Sequence, residues 1–151
     1  MITVAVDIRM PKTLPEERLQ RAAPVIRDGV RRIGEAYLEA LKFQTPRGEG
    51  NQGGQKLIDS YEVTETAEGL GASYRIVNRS RKLTWVRRGR GPVVATRAKA
   101  LRFMVRGVVV FRKRVGAAKA NDYPVRVLRL MEPVRRGMVA QLRGEVVRAL
   151  R

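Results

Sequence analysis

The chain contains no cysteine and no histidine among its 151 residues. Without cysteine there is no disulfide framework and no thiolate metal site, and without histidine the commonest metal ligand is missing. Ser-His and Cys-His nucleophile–base pairs are excluded with them. Carboxylate pairs remain for acid/base chemistry, but the acids fall mainly on the first amphipathic segment (Glu16, Glu17, Asp28, Glu35, Glu39) or along strand-like stretches. At such positions they solvate a surface, so the sequence predicts no enzyme, no bound metal and no cofactor. Aromatic residues make up only 5% of the chain, too few for a base-stacking platform. No apolar run approaches the roughly 18–20 residues that span a bilayer, and residues 1–7 lack the charged leader and long apolar stretch of a signal peptide. The expectation is synthesis in a cytoplasm and no membrane partner.

Acidic residues are also missing, but from one half only. Residues 1–72 carry 10 Lys+Arg and 11 Asp+Glu, whereas residues 73–151 carry 22 Lys+Arg and only Asp122, Glu132 and Glu145 as acids. The net charge of +18 therefore belongs to the second half. GC-rich coding would explain the excess of arginine (25) over lysine (7); it would not empty one half of its acids. Such asymmetry points to a polyanion or an acidic protein surface as partner.

The length is that of one ordinary domain, and 44% apolar with 30% charged residues is the composition of a folded chain. Ile2, Val4, Val6 and Ile8 alternate with Thr3, Ala5 and Asp7, which predicts a half-buried strand. Thr13 is a plausible N-cap, with Pro15, Glu16 and Glu17 in the first turn of a helix. Leu19, Ala22, Ile26, Val30, Ile33, Tyr37 and Leu41 recur at three and four, so that helix runs to about Phe43, kinked or divided at Pro24. Residues 45–56 form a Gly-rich loop without the Gly-Lys-Ser/Thr ending of a phosphate-binding loop, and the expectation is a segment that a neighbour orders. Two strands, 57–66 and 72–78, meet through Glu68-Gly69-Leu70-Gly71. Arg87-Arg88-Gly89-Arg90-Gly91-Pro92 reads as a basic loop. Residues 101–111 read as a hairpin turning at Gly107 with a basic outer face, followed by a basic loop over 112–122. Val127, Met131, Val134, Met138, Leu142, Val146 and Leu150 mark a last helix that Pro133 begins or bends. The order predicts one α+β domain: an antiparallel sheet packed by a long N-terminal and a C-terminal helix.

The densest cationic cluster comprises Arg87, Arg88, Arg90, Arg97, Lys99, Arg102, Arg112, Lys113 and Arg114. Arginine's planar fork suits phosphate or carboxylate, and with only Trp85 and Phe103 nearby any DNA contact would be to the backbone and independent of sequence. The Met131, Met138 and Leu142 stripe serves most simply as core. Together with Trp85 it is the candidate subunit interface.

Four stretches in the same order resemble a known family. They are Ser60-Tyr61-Glu62-Val63, Tyr74-Arg75-Ile76-Val77-Asn78, Trp85-Val86-Arg87-Arg88-Gly89-Arg90-Gly91-Pro92 and Ala98-Lys99-Ala100-Leu101-Arg102-Phe103. The chain is similar to the head–tail joining proteins of tailed phages, the gene product ten-like minor tail components also called neck or tail-completion proteins, over roughly residues 14–150. It departs from them in the strand before Pro11, an added strand or arm, and in its arginine content. The resemblance implies a non-catalytic virion protein at the head–tail junction. It would assemble with copies of itself, commonly as a hexameric ring, between portal-connector and tail-tube proteins, with genome DNA passing through the lumen. The basic cluster would then face DNA or dock on acidic neighbours. The competing expectation is a free, sequence-independent nucleic-acid-binding protein of the ribosome- or nucleoid-associated kind.

Overall fold

The computed structural model describes residues 2–6, 15–46, 57–68, 71–105 and 108–151, with the backbone alone at 2–6, 81 and 103–105. The fold is α+β, a single domain, and its residues group into two compact units. Unit 1 comprises Met1–Gln44, Glu62–Val77 and Pro124–Arg151; unit 2 comprises Thr45–Tyr61 and Asn78–Tyr123.

In unit 1 the opening alternation becomes strand β1 (Ile2–Val6), which pairs antiparallel with β3 (Gly71–Asn78) from Ile2 opposite Ile76 to Val6 opposite Ala72. The sheet order is β1-β3-β2, with β2 (Tyr61–Glu68) at one edge. The N-terminal segment is thus a strand of this sheet and not a loose arm. On β3, Tyr74 and Ile76 are buried with Arg75 exposed between them, as a pleated strand with one covered face requires. Thr66 and Ser73 lie on the other face and join their hydroxyls at 2.6 Å.

Helix α1 (Glu16–Gln44) buries Ala22, Ile26, Val30, Ile33, Tyr37 and Leu41, the stripe expected from their spacing. Two glycines add to that face. A Cβ on Gly29 would run into the Leu142 side chain, and one on Gly34 into the Tyr74 ring. These positions let a helix and a strand approach closer than any side chain allows, which offsets the roughly 1 kcal/mol a mid-helix glycine costs. Pro24 lies inside α1 and does not divide it. It sits on the exposed face, where the carbonyl it leaves unpaired can meet water. Pro133 does not begin the last helix: α3 (Tyr123–Ala149) starts ten residues before it. The predicted α3 stripe holds at Val127, Leu142 and Val146, which are buried, and fails at Val134, which is exposed.

In unit 2 the expected strand from residue 57 is shortened. Leu57–Ser60 form a 3-10 turn and the strand begins at Tyr61. The stretch 87–92 expected as a basic loop is partly helical, because α2 (Arg81–Arg88) takes in Arg87 and Arg88. Strands β4 (Val93–Val94) and β7 (Arg114–Val115) pair antiparallel, as do β5 (Leu101–Val105) and β6 (Val108–Arg112). The basic segment 112–122 is therefore partly strand. The N-cap expected at Thr13, most of the Gly-rich loop (47–56) and the turn at Gly107 lie outside the described residues.

Candidate functional site

Unit 2 is organised around its cations by backbone and side-chain bonds of its own. Ser80 caps α2: its extended backbone (φ −64°, ψ 127°) lets Oγ accept from the Lys82 amide at 3.3 Å, and its own amide donates to Asn78 Oδ1 at 3.0 Å. The helix ends at Gly89 with φ 73°, the left-handed region that favours glycine. A Cβ there would also lie 2.6 Å from the Ala118 carbonyl oxygen. That close approach continues as a ladder. Arg90 and Ala118 exchange amide–carbonyl bonds at 3.0 and 2.9 Å, the Ala95 amide donates to the Lys113 carbonyl at 3.0 Å, and the Asn121 amide donates to the Val86 carbonyl at 2.8 Å.

The ladders decide which cations become neighbours. Arg114 faces Val94 across β4–β7, while Arg112 faces Leu101 and Arg102 faces Phe111 across β5–β6. The run Arg112, Lys113, Arg114 thus lies where the two strand pairs adjoin. Arg88 and Arg90 flank Gly89, and Arg97 and Lys99 occupy the bends between β4 and β5. Directly opposed residues share a sheet face, so Arg102 and Arg112 lie on opposite faces of the hairpin. The expected single basic outer face is therefore not what forms; each face carries one arginine among apolar residues.

Among the described residues, Arg87 is the one member of the nine whose side chain is paired within the chain. Its Nε donates to Asp122 Oδ1 at 2.8 Å and Nη2 reaches Oδ2 at 3.4 Å, a two-point fork. That pairing raises the Arg87 pKa above its already high ordinary value. Arg88, Arg90, Arg97, Lys99, Arg102, Arg112, Lys113 and Arg114 are exposed and make no internal ion pair among the described residues. Composition explains this: residues 78–123 hold 14 Lys+Arg and a single carboxylate, Asp122. At +13 excess charge this segment has nothing of its own to neutralise it.

A second cluster, unsuspected in the sequence, ties unit 2 together. The Tyr61 hydroxyl lies 3.0 Å from Thr45 Oγ1 and 2.7 Å from the Tyr123 hydroxyl, and Asn78 also bonds to it. Asn78 Nδ2 in turn donates to the Leu57 carbonyl at 3.0 Å. Thr45, Tyr61, Asn78 and Tyr123 are the four ends of the two segments that make up unit 2. Burial, with the bond to Tyr123, pushes the Tyr61 hydroxyl far above the ordinary phenol range, so it stays neutral and acts as a hydrogen-bonding hub. No motif announces it, because its members are 16 and 62 residues from Tyr61.

The interface candidates divide. Trp85 is 61% exposed on α2, and Met131 and Met138 are half-buried on α3. Leu142, at 2% exposure and packed on Gly29, belongs to the core of unit 1, which removes it as an interface residue. Phe103 has its side chain outside the described residues. Among the described residues no group of three potential metal ligands forms, and no helix is long and apolar enough to cross a membrane. No family model, curated protein or solved structure matches the chain.

Proposed function

We propose that this chain is a structural subunit of the head–tail junction of a tailed phage, without catalytic activity, and that unit 2 is its assembly surface. The observation that carries the reading is the set of eight exposed cluster cations that make no internal ion pair among the described residues, held on a framework of backbone ladders. Surface arginines in such numbers repel one another and are retained where an external anion balances them. The ordered motif set from residue 60 to residue 103 supports the assignment to the neck, where copies of this chain would form a ring between portal-connector and tail-tube proteins. Cryo-electron microscopy of the parent virion tests it: density for this chain at the neck is expected, and its absence there overturns the reading.

The near-absence of carboxylates from residues 78–123 also favours a second reading, a free nucleic-acid-binding protein with backbone-directed contacts. Such a protein binds duplex DNA with an affinity that falls steeply as salt rises. Negligible binding at moderate salt by the purified chain excludes that alternative and leaves assembly contacts as the use of the cations.

A further inference from the structure

The hairpin of unit 2 leaves two strand edges open, since β5 and β6 make a two-stranded sheet by themselves among the described residues. β6 reads Val108-Val109-Val110-Phe111-Arg112, four apolar, strongly β-forming residues in a row with a charge only at the end. Val108 and Phe111 are each 64% exposed and Val109 37%. Successive side chains point to opposite faces, so both faces of β6 offer apolar surface. Native edges of this kind are usually blunted by charge, proline or a bulge. Residues 108–111 contain neither charge nor proline, and they pair with β5 in unbroken register. We propose that the free edge of β6 pairs antiparallel with β6 of a second copy about a two-fold axis at Val110, giving a continuous sheet β5-β6-β6-β5.

The register favours a second copy as the occupant. Centred on Val110, the pairing sets Val110 opposite Val110 of the partner subunit, Val109 opposite Phe111 of the partner subunit, and Val108 opposite Arg112 of the partner subunit. The Val–Phe pairs occur twice by symmetry. They are of the aromatic–β-branched kind that stabilises sheets, and no like charges meet. The two copies of Arg112 lie four residues apart along the strands, about 13 Å, and those of Arg102 lie three strand spacings apart, about 14 Å. Both separations exceed the ~8 Å Debye length at physiological ionic strength. β2, one of the two edges of the unit 1 sheet, is built in the opposite sense. The same operation centred on Glu65 would oppose Glu65 to itself and Glu62 to Glu68, which is destabilising. A polyanion would engage the flanking cations and leave the Val109 and Phe111 row uncovered.

The purified full chain tests this independently of any place in a virion, so the pairing and the junction reading can fail separately. Sedimentation equilibrium at about 0.1 M and about 0.5 M NaCl should show a dimer that tightens with salt, because the contact is apolar and the copies repel. Phe111→Lys should weaken dimerisation at least about tenfold with an unchanged thermal melt. The absence of native cysteine makes single cysteines clean reporters of register. Val110→Cys should form an intermolecular disulfide under mild oxidation, since facing Cα atoms in an antiparallel pair lie about 4.5–5.5 Å apart. Val108→Cys, more exposed but about 13 Å from its mate, should not. Should Val110→Cys fail to fold, mixing Val109→Cys and Phe111→Cys chains carries the same test. A chain that is monomeric at both salts, a dimer that dissociates as salt rises, or Val108→Cys crosslinking at least as fast as Val110→Cys overturns the proposal.

Discussion

In unit 1, four arginines are matched to acid: Arg31 with Glu65 at 3.1 Å, Arg32 with Glu145, and Arg135 and Arg136 both on Glu132 at 2.8 and 3.0 Å. In unit 2, Asp122 takes Arg87, and the other eight cations of the cluster make no internal ion pair among the described residues. The difference extends to what holds each unit. Unit 1 has a helix–sheet core of Ile, Val, Leu and Tyr with two glycines setting the closest approaches. The elements of unit 2 beyond Asn78 are short and are fastened by backbone ladders, a capped helix and the Tyr61 hub. Stability and surface chemistry are thus largely separated. One unit can lose an arginine pair and keep its core, and the other can change its cations without touching what folds it.

That separation can be tested by substitution, beginning where the effect is greatest. Ile33→Ala, in the core of unit 1, should cost about 2–5 kcal/mol from lost burial and the cavity left behind, read as a lowered midpoint in urea. Next, Tyr61→Phe should cost about 1–3 kcal/mol, because it leaves the buried Thr45 and Tyr123 hydroxyls without their common partner. A change below about 0.5 kcal/mol would mean that the hub does not hold unit 2 together.

Acid titration gives a smaller effect, and its sign follows from the ion pairs of unit 1. The Arg135 and Arg136 guanidiniums bonded to Glu132 hold its pKa down at about 2, from 4.5. Glu145 is lowered in the same way, first by Arg32 and then by Gln141. A depressed carboxylate stabilises the fold above its unfolded pKa and loses that contribution as pH falls through the folded value. Thermal melts should therefore fall between about pH 4.5 and about pH 2. Arg135→Ala should flatten the fall, and an unchanged slope would show that the Glu132 pair is not felt.

Smallest in stability is the combined replacement of Arg112, Lys113 and Arg114 by Ala, expected to move the folding free energy by no more than about 0.5 kcal/mol. Particle yield on complementation should nevertheless drop. Equal losses of stability and of assembly would erase the contrast between the units.

The helix stripes, the first strand and the hairpin were legible in the sequence because periodicity of 3.6 or 2 is a local property of the chain. The cationic cluster was legible too, since a run of 46 residues with one acid cannot neutralise itself whatever its fold. Local signals misled where two compete. Residues 87–92 read as a basic loop, yet Ser80 supplies a cap and Gly89 a stop, and a short helix that takes in Arg87 and Arg88 fits between them. Proline neither divides α1 at position 24 nor begins α3 at position 133, because a helix tolerates it where the freed carbonyl faces solvent.

By itself, then, the sequence determined the α+β class, the faces of the long helices and the place of the excess charge, each of which depends on neighbouring residues or on a count. Tertiary structure decided the rest. Gly29 and Gly34 acquire meaning only when Leu142 and Tyr74 press against them, and the Tyr61 hub exists only when residues 16 to 62 positions away converge on it. Whether a cation is spent or free depends on which carboxylate the fold brings within about 4 Å. For Arg87 it brought one; for the other eight cations of the cluster it brought none among the described residues.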